Sequence, residues 1–150
     1  MFAPKSILVP TDFSPYSDNA LGHAIDIAKQ YHAKVHLLHV IDEYIQQCVG
    51  EYCLSNKTIE ELEQVSVANA VDKLQKQRDR IAASSSDAEI AISVRQGVPY
   101  EEILHEQEEK AMDLIVLSSH GRTGILRILI GSVAEKVLRG AKCPVMLVRG

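Results

Sequence analysis

The sequence has no tryptophan, only two phenylalanines and five tyrosines among its 150 residues. Single-stranded nucleic acid is bound largely by stacking on aromatic side chains, and duplexes are bound by clustered Lys and Arg. The chain offers neither, because 20 acidic residues outnumber 16 basic residues, which form no stripe along the sequence. The composition therefore argues against nucleic acid as a partner.

Long apolar runs are also missing. None approaches the roughly 20 residues of a membrane-spanning helix, and the first residues do not resemble a signal peptide. The cysteines Cys48, Cys53 and Cys143 follow no zinc-ligand or CxxC spacing. We therefore expect one cytoplasmic domain over residues 1–150, with reduced thiols and no membrane contact. A redox-sensitive Cys48–Cys53 pair is the alternative to ordinary loop thiols.

Two common nucleotide-binding motifs are absent. No GxGxxG follows the first predicted strand, which argues against a dinucleotide-binding fold, and no GxxxxGK[ST] occurs, which argues against a P-loop protein. A nucleotide site in this chain would have to be built from other residues.

The apolar pattern that is present alternates between strands and helices. It predicts strands over 6–9, 34–40, 88–95, 113–117 and 144–148, and helices over 15–31, 58–83, from 99 onward and over 132–139. The crossovers are long enough for parallel strands, and the alternating third strand is typical of a sheet edge with one wetter face. We therefore predict an α/β fold, a single doubly wound five-stranded parallel sheet with helices on both faces.

Two helix starts carry the pattern of a capping box, in which a Ser or Thr is followed three residues later by Glu. These are Thr58 with Glu61 and Ser132 with Glu135. The second pattern predicts that Gly131 and Ser132 stand at the start of the fourth helix. Unpaired amides and the helix dipole favour anions at such a position.

Polar residues follow the first and fourth predicted strands. They are 10–12 and 118–124, and ligands of open parallel sheets bind where the winding direction reverses between two such strand ends. Gly121, Gly124 and Gly131 would let the backbone approach a phosphate closely, and Arg122 and Arg127 would add positive charge. The alternative is that Ser132 only caps a helix and that the glycines only turn the chain.

Several stretches resemble the universal stress protein family. They are "ILVPTDFSPYSDNAL", "KVHLLHV" and "DLIVLSSHGRTGILRILIGSVAEKVLRGAKCPVMLV", the last from Asp113 to Val148. The resemblance covers essentially the whole chain and implies strand order 3-2-1-4-5. Members of the family that bind ATP have the pattern G-x2-G-x9-G-[ST]. Here that pattern reads Ser118-x2-Gly121-x9-Gly131-Ser132, with a serine in place of the first glycine.

The resemblance also implies a set of cofactor-binding residues for ATP. Pro10, Thr11 and Val40 would line the adenine side, Asp12 would lie near the ribose, Gly121, Gly131 and Ser132 would hold the phosphates, and His120 and Val133 would flank them. Ser118 would weaken binding rather than abolish it. A Mg²⁺ or Mn²⁺ ion would arrive with the triphosphate and not in a protein cage.

Other chemistries find less support. Adjacent residues on an extended segment point apart, so Ser119 and His120 are not expected to form a nucleophile pair. His36 and His39 should lie on opposite faces of a strand, which is poor for a shared metal. The acidic residues over 101–109 suit a solvated helix face. No catalytic residue stands out, so the chain would be at most a weak ATPase.

The last predicted strand offers an apolar edge that invites pairing with a second chain. We expect a homodimer through Val145–Val148, an arrangement that the family resemblance also implies, unless the chain's own residues 122–130 cover that edge. The leading hypothesis is an ATP-binding stress-response protein that acts as a homodimeric switch. The alternative is a nucleotide-free regulatory or scaffolding dimer that acts through unidentified protein partners.

Overall fold

The computed structural model describes residues 1–43, 56–83, 87–121 and 129–149. The strands and helices alternate along the chain. In order they are β1 (Ser6–Pro10), α1 (Pro15–Tyr31), β2 (Lys34–Asp42), α2 (Asn56–Ala82), β3 (Ile90–Gly97), α3 (Pro99–Glu109), β4 (Leu114–Ser118), α4 (Ser132–Gly140) and β5 (Val145–Val148).

The five strands form one parallel sheet with the order β3-β2-β1-β4-β5. The predicted doubly wound sheet and its strand order are therefore confirmed. Ile7, Leu8 and Val9 of β1 are fully buried, as expected for a central strand that is covered on both faces. None of the described helices is both long enough and apolar enough to cross a membrane.

Two apolar cores lie on opposite faces of the sheet. Ile7 and Val9 pack with residues of α1 and α2, whereas Leu8 packs with residues of α3 and α4. The alternation of side chains along β1 therefore assigns two helices to each face.

The start of α1 follows the sequence signals closely. Ser14 is the N-cap, its hydroxyl accepts the Ser17 N–H at 3.3 Å, and Pro15 occupies the first turn, where its missing N–H costs nothing. This cap holds the N-terminus of α1 immediately beyond the end of β1.

Both predicted capping boxes are wrong in detail. Helix α2 begins at Asn56, two residues before Thr58. In α4 the N-cap is Gly131, whose carbonyl accepts the Glu135 N–H at 2.9 Å, and no side chain caps the helix. The predicted helix starts are therefore close, but Ser132 is the first helical residue and not the cap.

The predicted edge position of β3 is confirmed, but its polar face is not open to water. Arg95 and Ser93 point toward α3, where the Ser93 hydroxyl lies 2.9 Å from a carboxylate oxygen of Glu106. Glu106 is only 1% exposed and pairs with both Arg95 and Lys110. The polar alternation of this strand thus reflects ion pairing beneath a helix.

Candidate functional site

The ends of β1 and β4 form the point where the sheet reverses its winding. Strand β1 pairs with β2 on one side and with β4 on the other. Because all strands are parallel, the loops after Pro10 and Ser118 both leave the sheet at the carboxyl ends of the strands. This is the position at which ligands of open α/β sheets bind.

Asp12 and Gly121 bring these two loops into contact. A Cβ atom on Gly121 would lie only 2.9 Å from Oδ2 of Asp12, so any larger residue would displace this carboxylate. The other carboxylate oxygen of Asp12 accepts the Ser14 N–H at 3.0 Å. Asp12 is therefore held between the start of α1 and the loop that follows β4.

Gly131 packs against the same loop from the side of α4. A Cβ atom there would lie 3.3 Å from the Ser119 carbonyl oxygen and 3.9 Å from Cα of His120. Gly121 and Gly131 therefore border one short segment, residues 119–120, and the two glycines that the motif places at the site lie in one region of the fold.

The Gly131 amide is already engaged, because it donates to the Ser119 carbonyl at 2.7 Å. The expectation of a bare amide at this position is therefore wrong, and what Gly131 supplies is close approach without a side chain. The next amides, those of Ser132 and Val133, belong to the first helical turn and have no acceptor inside the helix. Within the part of the chain that the structure describes, no other group accepts from them.

The serine that ends β4 and the serine that follows it both bond to His120. The Ser118 hydroxyl donates to the His120 carbonyl at 2.5 Å, and the Ser119 hydroxyl lies 2.8 Å from Nδ1 of the His120 ring. The expectation that Ser119 and His120 point apart is wrong, because the chain bends at Ser119 and strand alternation no longer applies. Ser119 is only 4% exposed, so its hydroxyl is inaccessible as a nucleophile.

The side chain of Thr11 is engaged in hydrogen bonds within the protein. This side chain is buried, and Oγ1 lies 2.9 Å from both the Ser17 hydroxyl and the side-chain carbonyl of Gln77. The Thr11 N–H donates to the Leu38 carbonyl at 2.8 Å. Gln77 was not singled out from the sequence, although its place on one helical face with Leu74 and Ile81 marks it as facing inward.

The residues expected on the adenine side also lie near the carboxyl ends of the strands. Pro10 is half-buried at the end of β1, and Val40 is half-buried on β2, two residues beyond Leu38, the register partner of Pro10. Val40 packs against the core that α3 and α4 cover. The ring of Tyr16, which the sequence analysis also missed, has its centroid 6.2 Å from that of His120.

Several residues of the sequence analysis lie outside the described ranges. They are Cys48, Cys53, Arg122, Gly124 and Arg127. The remaining cysteine, Cys143, is half-buried, and its burial together with the nearby charge of Asp113 raises the pKa of its thiol.

His36 and His39 face opposite sides of β2. Burial, together with the charges of Lys110 and Lys34, lowers the pKa of His36. His39 instead contacts the end of β1, with Nδ1 2.8 Å from the Thr11 carbonyl oxygen. Within residues 1–43, 57–83, 87–121 and 129–149, no group of three or more His, Cys, Asp or Glu side chains could hold a metal ion.

The fold and the site define an α/β protein with two glycines beside the loops at the reversal point of a parallel sheet. The model of the universal stress protein family matches residues 4–149. The chain therefore belongs to the universal stress protein family.

Individual relatives match nearly the whole of this chain. Universal stress protein MJ0531 of Methanocaldococcus jannaschii is 38% identical over 97% of this chain and 82% of its own length. MJ0577 of the same organism is 32% identical, and its solved structure matches with a TM-score of 0.83 over 99% of this chain and 98% of that chain. A universal stress protein solved in complex with cAMP shares the fold at 24% identity, with a TM-score of 0.72 over 99% of this chain and 98% of that chain.

Proposed function

We propose that this chain binds ATP in the crevice between the ends of β1 and β4 and acts as a homodimeric regulatory switch in a stress response. One observation carries the proposal. Gly121 approaches the carboxylate of Asp12, and Gly131 approaches the backbone of residues 119–120, so three chain segments meet at two positions that carry no side chain of their own. A protein of the same fold was solved with the adenine nucleotide cAMP.

The chemistry of the crevice suits the two ends of a nucleotide differently. The first-turn amides of α4 at Ser132 and Val133, together with the positive end of the helix dipole, favour phosphate oxygens. The carboxylate of Asp12 repels phosphates but accepts hydrogen bonds from hydroxyl groups, which places it at the sugar. Pro10 and Val40 offer half-buried apolar surface to the base.

Hydrolysis by this site would be at most slow. Ser119, the hydroxyl paired with His120, is buried, and Thr11 is committed to Gln77 and Ser17. Neither hydroxyl is therefore free to position an attacking water. A Mg²⁺ or Mn²⁺ ion would be held chiefly by the triphosphate itself.

The proposal is tested by Ser132→Glu. Ser132 is exposed in the first turn of α4. The helix dipole stabilises a carboxylate at this position, so the variant should fold normally, but the same carboxylate would repel a phosphate. We expect ATP affinity, measured by isothermal titration calorimetry, to fall by at least about tenfold, the loss of one charge-assisted contact, while the thermal unfolding midpoint stays unchanged or rises. Ser132→Gln, which is similar in size but neutral, is the matched control and should lose much less affinity.

A nucleotide-free regulatory or scaffolding dimer is the second candidate. Two observations favour it, since the Gly131 amide is already bonded to Ser119 and a serine stands at the first glycine of the motif. Heat denaturation of purified protein followed by nucleotide analysis separates the two functions. Released ATP supports the first candidate, whereas no released nucleotide and no thermal shift with added ATP and Mg²⁺ support the second.

The homodimer and the cytoplasmic location belong to the same proposal. Strand β5 is the terminal strand of the sheet and pairs only with β4 among the described strands. A second copy pairing along its outer edge would satisfy the main-chain groups exposed there. Cell fractionation with an antibody to the chain tests the location.

A further inference from the structure

The loop from Thr11 to Ser14 contains a backbone conformation that helix capping does not explain. The described non-glycine residues with left-handed φ are Phe13 at 64°, His32 at 55° and Ala111 at 48°. His32 and Ala111 follow the ends of α1 and α3, where this conformation commonly terminates helices. Phe13 instead precedes a helix, so its neighbours must hold it in place.

His39 is the side chain that contacts this loop at two points. Its Nδ1 lies 2.8 Å from the Thr11 carbonyl oxygen. A carbonyl only accepts hydrogen bonds, so Nδ1 carries the proton in this contact. The His39 ring also packs on the Phe13 ring, with centroids 4.4 Å apart and an interplanar angle of 37°. One residue of β2 therefore holds both the residue before Asp12 and the residue after it.

The turn at Phe13 determines where Asp12 lies. One carboxylate oxygen of Asp12 accepts the Ser14 N–H, and the other lies against Gly121. Rotating Phe13 out of its left-handed conformation would move Ser14 relative to Thr11 and would break this arrangement. The Phe13 N–H also donates to Oγ1 of Thr11 at 3.0 Å, and Lys73 lies over the Phe13 ring. The contacts of His39 are therefore among those that set the position of the Asp12 carboxylate.

We propose that His39 is a positioning residue that fixes Asp12 for recognition of the sugar hydroxyls, and that it thereby gives the site its preference for ribonucleotides over 2′-deoxynucleotides. This rests on the proposed function. His39 need not touch the nucleotide, because it acts through the Thr11 carbonyl and the Phe13 ring. The amides of α4 that face the phosphates are on another element and do not depend on it.

Two variants separate the two contacts of His39. His39→Phe keeps an aromatic ring beside Phe13 but removes the donor to Thr11, whereas His39→Asn keeps a donor and removes the ring. Affinities for ATP and 2′-deoxy-ATP are measured by calorimetry for each variant. The same measurement on Asp12→Asn gives the affinity ratio expected when the Asp12 carboxylate is lost completely. His23→Phe, at an exposed position of α1, is the matched control.

We expect the wild-type protein to prefer ATP by about tenfold, the value of a hydrogen bond to a charged group. His39→Phe should reduce this ratio to within about twofold of unity, as Asp12→Asn should, and His39→Asn should restore part of it. His23→Phe should leave the ratio unchanged. An equal loss of affinity for both nucleotides in His39→Phe would show a merely structural role and would overturn the proposal, as would an unchanged ratio.

The ligand-free protein provides a readout that is independent of nucleotide binding. The Ser14 amide is bonded to Asp12, so its hydrogen exchange reports directly on the position of this carboxylate. We expect exchange at Ser14 to accelerate at least about tenfold in His39→Phe and to stay at the wild-type rate in His23→Phe. A wild-type exchange rate in His39→Phe refutes the positioning role. If the wild-type protein binds neither nucleotide, the proposed function fails and the ribonucleotide preference fails with it.

Discussion

Ser118 ends β4 where the family's ATP-binding pattern has a glycine. Its hydroxyl donates to the His120 carbonyl, so it stabilises the bend that follows the strand. The motif alone led us to expect that this serine weakens ATP binding, but its bond to His120 reverses that expectation. We therefore predict that Ser118→Gly weakens ATP binding about fivefold, which corresponds to the loss of an ordinary hydrogen bond of about 1 kcal/mol. Calorimetric titration with ATP measures this.

Ser118→Ala is the control, because it removes the hydroxyl but adds no backbone freedom. It should weaken binding nearly as much as Ser118→Gly. Tighter binding by the glycine variant would instead mean that the serine side chain crowds a phosphate and that its bond to His120 does not matter for the site.

The sequence was most informative about residues whose role depends on their neighbours along the chain. Ser14 and Pro15 predicted the start of α1, and Gly121 and Gly131 were expected near the carboxyl ends of the first and fourth strands, where the structure has them. The roles of His39 and Gln77 depend on contacts between distant elements, which local patterns do not reveal. The bond between Ser119 and His120 was missed because a bend at one residue cancels the alternation of a strand.

At the scale of elements, the alternation of strands and helices follows from apolar periodicity, and crossovers of this length indicate parallel strands, whereas the strand order was implied by the family resemblance. The charged contact between β3 and α3 does not follow from the apolar pattern. Arg95 is half-buried and pairs with Glu102, Glu106 and Glu109 of α3. Although burial alone would lower its pKa, these hydrogen bonds raise it. The acidic residues of α3 were expected to form a solvated face, but three of them pair with Arg95.

Glu106 is the buried member of this contact, and its removal should be costly. Burial alone would raise its pKa, but the bonds from Lys110, Arg95 and Ser93 lower it below the ordinary value of 4.5. The stabilisation is therefore present above pH 4.5 and is lost as the pH falls through the lowered value. We predict that Glu106→Gln reduces the free energy of unfolding by about 3 kcal/mol at pH 7, measured by urea denaturation, and by less in strong acid.

Glu109→Gln is the matched control. Glu109 pairs with the same arginine, but the Glu109 side chain is 64% exposed. It should cost less than about 1 kcal/mol. Equal losses for the two variants, or a loss for Glu106→Gln that does not shrink in acid, would contradict the assignment of the stabilisation to the buried carboxylate.

At the scale of the whole molecule, β5 is the surface through which we propose that two chains associate. The Pro144 and Val148 carbonyls accept hydrogen bonds from the β4 side, from Ile115 and Ser119. Main-chain groups alternate in direction along a strand, so those of Val145 and Leu147 face away from β4. Met146 is 37% exposed beside them. Among the described residues, nothing pairs with this outer edge of β5, so it offers main-chain groups and an apolar side chain to a second copy of the chain.

We predict that the wild-type protein is a dimer and that Met146→Lys converts it to a monomer, because a two-fold axis through paired β5 strands would bring two new charges close together. Light scattering after size-exclusion chromatography measures the mass. Leu62→Lys introduces the same charge at a 43% exposed position of α2 and should remain dimeric. A monomeric wild-type protein, or a Met146→Lys variant with the wild-type mass, would mean that β5 is not the interface.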